Sequence, residues 1–235
     1  MIGIAIPAHN EEAVLGACLD ALLAAARDPA LGGEAVMVQV VLDACDDASA
    51  AVVAGRRAAF GAAGVALDCA AVDARLVGAA RAEGARLLLL RGARWLAFTD
   101  ADTRVAPDWL AAQLALDADV VCGSVAVDDW SPHAGRADAL RTHFHNTYQD
   151  RDGHRHIHGA NLGVSAAAYR AAGGFQEVPC HEDVLLVKAL EGIGARFAWS
   201  ARPRVFTSAR TDARARGGFG DTLLRVLEES AQAQE

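Results

Sequence analysis

Trp95-Leu96-Ala97-Phe98-Thr99-Asp100-Ala101-Asp102 is the stretch of sequence that decides the fold. Its first four residues are apolar and have the length of a short buried strand. Two carboxylates follow at the strand's carboxyl end, which is where ligands bind in an open α/β sheet. Carboxylates this close repel each other unless a cation or hydrogen-bond donors hold them, and Mg²⁺ prefers one or two carboxylates together with phosphate oxygens. The stretch therefore indicates a strand leading to a metal–diphosphate site, although an isolated D-x-D is more typical of a solvated turn.

The composition describes a chain that can bury a large core. Its 235 residues are 53% hydrophobic with a net charge of -8, and this acidic balance argues against a general nucleic-acid-binding surface. The apolar segments are too often broken by charges to span a bilayer, and the start MIGIAIPAHNEE is typical of a first strand rather than a signal peptide. Five dispersed cysteines without a C-x-x-C pair are typical of reduced thiols. We therefore expect a cytoplasmic protein without a nucleic-acid partner, and the sequence leaves peripheral membrane contact and oligomeric state open.

Short apolar strands alternate with helices through the first half of the chain. Strands are predicted at 2–6, 36–42, 65–72 and 95–98, and helices begin at Asn10 as a cap, at Asp46-Asp47, and at 79. This alternation with short links predicts an α/β fold with a doubly wound, mostly parallel sheet flanked by helices. Polar residues at three strand ends, His9-Asn10-Glu11, Asp43 and Asp100-Asp102, would then meet at one edge of the sheet.

The second half of the chain alternates less regularly. It carries predicted helices at 107–116, 134–148, 166–172 and 182–193, and a final helix from about Asp221. Strands are predicted at 120–127, 159–164, 197–199 and 205–207. Because no linker or repeat interrupts the chain, we expect one domain over residues 1–235, with a nucleotide-binding half at 1–104 and an acceptor-binding half at 105–235. Arg210, Arg214 and Arg216 could close over a diphosphate or form a solvated basic turn.

Five motifs in order resemble the inverting family 2 glycosyltransferases, which have the GT-A fold. They are Pro7-Ala8-His9-Asn10-Glu11-Glu12, Leu42-Asp43-Ala44-Cys45-Asp46-Asp47, Gly78-Ala79-Ala80-Arg81-Ala82-Glu83-Gly84, the D-x-D itself, and Gly173-Gly174-Phe175 followed by Glu182-Asp183-Val184-Leu185-Leu186. Two positions depart from the family, since Cys45 to Ala48 lack its usual serine and Ala82 stands where it often has asparagine. The chain also lacks the membrane helices of the family's polysaccharide synthases.

The resemblance implies a metal-dependent transfer of a sugar from a UDP- or GDP-sugar to a hydroxyl acceptor, by a single displacement with inversion. Asp100 and Asp102 would hold Mg²⁺ or Mn²⁺ on the diphosphate. Asp183 would be the general base for the acceptor hydroxyl, with Glu182 orienting it. The remaining donor-site residues would be Pro7, His9, Asn10, Glu11, Asp43, Arg81 and Ala101, and the acceptor-site residues His158, Gly159, Asn161 and His181.

Several of these residues have a purely structural alternative. Asp43 could cap the helix that follows it instead of contacting the nucleoside, and Glu182-Asp183 could simply be first-turn charge favoured by the helix dipole. His154, His156 and His158 lie on one side of a predicted strand, at a spacing that suits Zn²⁺. We favour a polar acceptor loop over a zinc site for this segment.

Two rival functions follow from the same motifs. A catalytically silent nucleotide-sugar-binding protein would not need Asp100, Asp102 and Asp183 together. A sugar-phosphate nucleotidyltransferase has a related sheet, but it would show a Gly-rich loop with a basic residue after the first strand. The acidic Pro7-Ala8-His9-Asn10-Glu11 occupies that position here.

Overall fold

A mixed eight-stranded sheet forms the centre of the protein. The computed structural model describes residues 1–211. The strands are β1 (Ile2–Ala8), β2 (Val36–Asp43), β3 (Ala66–Val72), β4 (Trp95–Phe98), β5 (Thr103–Val105), β6 (Val120–Ala126), β7 (Leu162–Ser165) and β8 (Phe197–Thr207), in the order β3-β2-β1-β4-β7-β6-β8-β5. β1 to β4 are parallel, β7 is antiparallel to β4 and β6, and β5 is antiparallel to β8. This confirms the predicted mostly parallel sheet.

Helices cover both faces of this sheet, as a doubly wound fold requires. They are α1 (Leu15–Ala25), α2 (Ser49–Ala62), α3 (Val77–Leu90), α4 (Trp109–Leu114), α5 (Ala137–Thr147), α6 (Ala166–Ala171) and α7 (Glu182–Gly192). Ile2, Ile4 and Ile6 of β1 pack with α1, α2 and α4 in one core, whereas Ala5 packs with α3, α6 and α7 in a second core. Successive residues of the strand thus face opposite layers. In the described part of the chain, no helix is long and apolar enough to cross a membrane.

The first two helices begin later than predicted, because the polar residues before them form hydrogen bonds between and within the loops instead of capping a helix. Asn10 has a positive φ of 54° and does not cap α1, which starts at Leu15. Its amide instead donates to Asp46 Oδ1 at 2.6 Å and accepts from the Asp46 backbone at 2.9 Å. α2 likewise begins at Ser49, whose backbone N–H donates to Asp47 Oδ1 at 2.9 Å. The Asn10–Asp46 bonds join the loop after β1 to the loop after β2.

The second half departs from the predicted strands in two ways. β8 is one continuous strand where two were predicted. Its pairing with β6 is irregular between Gly123 and Ser124, and this irregularity lies opposite the gap between the two predicted strands. β5 was not predicted. The final helix predicted from Asp221 lies outside the described residues, as do Arg214 and Arg216.

The direction of the later strands brings both halves of the chain to one edge. Because β7 is antiparallel to β4, the start of β7 lies beside the end of β4, with Leu162 paired to Phe98. The ends of β6 and β8 reach the same edge. Residues 127–158, which we call the β6–β7 excursion, leave from it and return to it. The excursion has a small core of its own formed by Trp130, Leu140, Phe144 and the later Ala209.

Candidate active site

The carboxyl-end edge of the sheet collects the acidic motifs of the sequence. Glu11 follows β1, Asp100 and Asp102 follow β4, and Arg210 arrives after β8. Arg210 donates two hydrogen bonds to Glu11, at 2.9 and 2.8 Å, and one to Asp102 Oδ2 at 2.6 Å. It therefore joins Glu11 to Asp102, although it lies 199 positions after Glu11 and 108 after Asp102. Of the three predicted C-terminal arginines, the structure describes this one, and it lies at the D-x-D.

The Asp102 carboxyl group is buried, and burial disfavours its ionised form. Its side chain is only 11% exposed, and burial raises its pKa from 3.8 to about 6. Repulsion from Asp100 and Glu11 adds to this effect, whereas the Arg210 guanidinium opposes it. Asp102 therefore stays ionised at neutral pH at a cost, which a cation would relieve.

A second ion-pair group lies directly behind the D-x-D. Arg81 of α3 donates to Asp100 with one guanidinium nitrogen and to Glu182, the first residue of α7, with another. Arg81 and Glu182 are both buried. Burial raises the pKa of the Glu182 carboxyl, and the neighbouring guanidinium counteracts that rise.

The donor set at this edge fits a divalent cation that binds together with phosphate. Five carboxylates (Glu11, Asp100, Asp102, Glu182 and Asp183) are gathered around two guanidinium groups (Arg81 and Arg210), which leaves an excess of negative charge. Within residues 1–211, no three His, Cys, Asp or Glu side chains are grouped to hold a metal ion by themselves. Mg²⁺ sites built from one or two carboxylates and completed by substrate phosphates do not need such a group.

Asp43 anchors a loop in the described structure. Its carboxylate accepts backbone hydrogen bonds from Ala74 and Arg75 at 2.8 Å and from Leu76 at 2.9 Å. The alternative that Asp43 caps the helix after it is wrong, because these donors precede α3 instead of opening α2. His9 donates through Nδ1 to the Asp43 carbonyl oxygen at 2.6 Å, so the two residues lie together. A nucleoside contact by Asp43 stays a prediction.

Asp183 lies where the second half of the chain reaches the carboxyl-end edge of the sheet. Its Oδ2 accepts the Gly159 N–H at 2.8 Å and its Oδ1 accepts the Val184 N–H at 2.8 Å. The first bond ties α7 to the turn before β7, and the second places the carboxylate at the helix start. His181, just before α7, has a left-handed backbone with φ 62°. The structure thus brings Asp183, Gly159 and the Arg81–Glu182 pair together.

Asn161 is fully buried and serves several elements. Its amide donates to the carbonyl oxygens of Ser124 at 2.7 Å and Pro203 at 2.9 Å, and it accepts from Trp109 Nε1 at 2.8 Å. These bonds join β6, β8 and α4. An acceptor contact by Asn161 stays a prediction, whereas its observed contacts are structural.

The three predicted loop histidines stack upon one another and form no metal site. The ring centroids of His154 and His156 are 5.4 Å apart, and those of His156 and His158 are 5.9 Å apart. Backbone N–H groups occupy a ring nitrogen of the first two, from His156 to His154 and from Gln149 to His156, each at 3.1 Å. A nitrogen that accepts an N–H has no lone pair for zinc. Burial lowers the pKa of His158 to about 4, so this ring is neutral at pH 7.

Tyr148 is a site residue that the sequence analysis did not single out. Its hydroxyl accepts the Val125 N–H at 2.8 Å and donates to His158 Nε2 at 2.9 Å. Its ring stacks on His156 with a centroid distance of 4.1 Å. An aromatic residue that ends a predicted helix just before a His-rich segment is the local signal that could have suggested this role.

The sequence profile described as glycosyl transferase family 2 matches residues 3–172, which is more than half of the chain. The chain therefore belongs to glycosyl transferase family 2. No curated protein sequence matches it.

Solved structures show the same fold at low sequence identity. TarS residues 1–349 from S. aureus in complex with UDP have a TM-score of 0.64 and 16% identity, over 88% of this chain and 61% of that one, and this chain covers 36% of a longer TarS structure. Mannosyltransferase PcManGT from Pyrobaculum calidifontis, in complex with GDP-Man and Mn²⁺, has a TM-score of 0.63 and 20% identity, over 92% of this chain and 58% of that one. A nucleoside-diphosphate-sugar pyrophosphorylase from Vibrio cholerae RC9 has a TM-score of 0.50 and 12% identity, over 89% of this chain and 96% of that one. The chain thus spans about three-fifths of the two transferase structures.

Proposed function

We propose that the protein transfers a sugar from a UDP- or GDP-sugar to a hydroxyl acceptor, by a metal-dependent single displacement with inversion. The observation that carries this proposal is the carboxylate cluster at the sheet edge, in which Arg81 joins Asp100 of the D-x-D to Glu182, the residue next to Asp183. The solved relatives bound to UDP and to GDP-Man with Mn²⁺ support the donor class and the cation.

On the donor side, Asp100 and Asp102 would hold Mg²⁺ or Mn²⁺ against the diphosphate. The cation would offset the negative charge that develops on the leaving nucleoside diphosphate. Arg210 is suited to assist, because a guanidinium pairs with phosphate oxygens through two parallel hydrogen bonds. His9, Asp43 and Asn10 would line the nucleoside pocket, with Asn10 held in place by its bonds to the neighbouring loop.

On the acceptor side, Asp183 would accept the proton of the attacking hydroxyl. The acceptor oxygen forms a bond to the anomeric carbon while the bond from that carbon to the diphosphate oxygen breaks. The Gly159 N–H at 2.8 Å fixes one carboxylate oxygen of Asp183, and this orients the base. His158 and His181 flank this position along the chain and would contact the acceptor.

Two other functions use the same fold. A silent nucleotide-sugar-binding protein would bind the donor without releasing nucleoside diphosphate. A nucleotidyltransferase is disfavoured by the site, because Glu11 is buried at the position after β1 where that class would need a basic, Gly-rich loop. The five cysteines are free thiols, which fits the cytoplasmic location that we include in this proposal.

The test is transfer by the wild type and by Asp183→Asn. Incubated with UDP- and GDP-sugars, Mn²⁺ and a panel of hydroxyl acceptors, the wild type should release nucleoside diphosphate and form a product of inverted anomeric configuration. Asp183→Asn should lose about 10²–10⁴-fold in transfer, the usual contribution of a positioned base. Its donor affinity by calorimetry should stay unchanged, and EDTA should weaken donor binding to both proteins.

Asp128→Asn is the matched control, since Asp128 is half-exposed and forms a surface ion pair with Arg104. Its transfer rate should equal that of the wild type. Normal turnover by Asp183→Asn, or NMR of a product with retained configuration, would show that Asp183 is not the base. Donor binding without any release of nucleoside diphosphate would favour the silent binding protein.

A further inference from the structure

Arg81 is enclosed between the two halves of the candidate site. Its side chain is 4% exposed, and its terminal nitrogens donate to Asp100 and to Glu182. The first partner belongs to the D-x-D and the second precedes the proposed base in sequence. A buried guanidinium is tolerated only when its charge is paired, so the buried Arg81 depends on both carboxylate partners.

Two glycines fit closely around this ion pair. A Cβ at Gly159 would overlap the guanidinium carbon of Arg81, and one at Gly78 would lie 3.0 Å from Glu182 Cβ. Gly159 is also the residue whose N–H holds Asp183 at 2.8 Å. The guanidinium therefore contacts Asp100 directly. Its link to the proposed base Asp183 is indirect, through Glu182 on one side and Gly159 on the other.

We infer that Arg81 is a positioning residue that sets the placement of the base Asp183 relative to the metal-binding Asp100. This inference rests on the proposed function. Arg81 is too enclosed to act on the donor itself, and it acts through Asp100, Glu182 and Gly159. The expectation that Arg81 binds the nucleotide sugar directly is thereby replaced by an indirect role.

The Arg81 guanidinium also interacts electrostatically with Asp183 across the site. Other charged or titratable groups face Asp183 as well: Glu182 on α7, His158 before β7 and Cys122 on β6. A comparison of two proteins that differ at Arg81 alone keeps the rest of this environment the same in both.

The experiment compares Glu182→Gln with the double variant Arg81→Gln/Glu182→Gln. Neutralising Arg81 and Glu182 together leaves neither of these buried residues with an unpaired charge, and Asp100, which loses its bond to Arg81, is about one-third exposed, so the double variant should keep its fold. Relative to the single variant, kcat should fall by about tenfold or more, because a small misplacement of reacting groups is costly. The donor KM and Kd should stay within about threefold, so that the loss lies in kcat.

Arg86→Gln is the matched control, because Arg86 lies on the same helix and pairs with Glu83 at the surface. It should change neither kcat nor the donor KM. A second readout does not need turnover: the carbon NMR signal of the Asp183 carboxyl, assigned by its loss in Asp183→Asn, should differ in chemical shift between the single and the double variant at one fixed pH. An absence of transfer by the wild type would reject the proposed function and leave this NMR comparison valid. Equal kcat values and coinciding carboxyl signals in the two variants would overturn the inference and reduce Arg81 to a packing residue.

Discussion

Replacing Asp102 by asparagine should make the protein more stable at neutral pH, because the wild-type carboxylate is ionised where burial disfavours its charge. Burial raises the pKa of Asp102 from 3.8 to about 6, and the nearby Asp100 and Glu11 carboxylates add to the rise. Asparagine has nearly the same shape and carries no charge. Arg210 keeps its two bonds to Glu11 in the variant.

The size of the effect follows from the difference between the two pKa values. One pKa unit corresponds to about 1.4 kcal/mol, so the rise from 3.8 to about 6 corresponds to about 3 kcal/mol. Between these values the native state binds more protons than the unfolded state, so stability falls as pH rises through the interval. Asp102→Asn escapes this loss. It should gain up to about 3 kcal/mol in the free energy of unfolding above pH 7, and little near pH 4.

The assay is urea unfolding followed by tryptophan fluorescence, at pH 8 and near pH 4, with no divalent cation present. Asp128→Asn serves as the control, because a half-exposed carboxylate paired at the surface contributes little. The variant should also lose the stabilisation that we expect Mn²⁺ to give the wild type by binding its native state. A gain that is absent at pH 8, or equal at both pH values, would refute the argument from burial.

His158→Gln should protect the protein against acid, because burial lowers the pKa of His158 from 6.5 to about 4. Below about pH 6.5 the unfolded state then binds more protons than the native state, so the wild type loses stability as pH falls toward 4. The variant should lose less, with a difference of up to about 3 kcal/mol in the free energy of unfolding by urea at pH 4. Parallel curves of stability against pH would contradict this. Arg210→Ala should bind Mn²⁺ several-fold more tightly than the wild type in the absence of donor, as measured by electron paramagnetic resonance, because a competing cation is removed from Glu11 and Asp102. It should also bind nucleoside diphosphate more weakly, and Arg204→Ala, which breaks a surface pair with Asp150, should change neither affinity.

The sequence predicts the nucleotide half well because its pattern is local. β2 is buried along its whole length and ends at Asp43, and β4 is buried and leads to the D-x-D. Apolar runs ended by polar residues therefore locate both the strands and the sheet edge. The family resemblance and the mostly parallel sheet are confirmed on this basis, whereas the roles of individual site residues stay predictions.

Contacts between distant parts of the chain could not be predicted in the same way. Asn10 before two glutamates has the local pattern of a helix cap, but its amide binds Asp46 in another loop. Arg81 and Glu182 are 101 positions apart, and no local periodicity indicates that they pair. The signal in retrospect is an arginine placed between glycines at 78 and 84, which leave space for close neighbours.

The β6–β7 excursion can change in length or sequence without moving the strand that carries the D-x-D. It departs and returns on neighbouring antiparallel strands, about 5 Å apart, and Ser124 and Val125 in β6, just before it, hydrogen-bond to Asp150 and Tyr148 near its end. Its stems are therefore closed, and doubling the length between them would cost only about 0.6 kcal/mol in chain entropy. Insertions or exchanges here would alter the surface offered to an acceptor and leave the strand that carries the D-x-D in place. A graft of another family member's excursion onto these stems is the protein-engineering use of that arrangement.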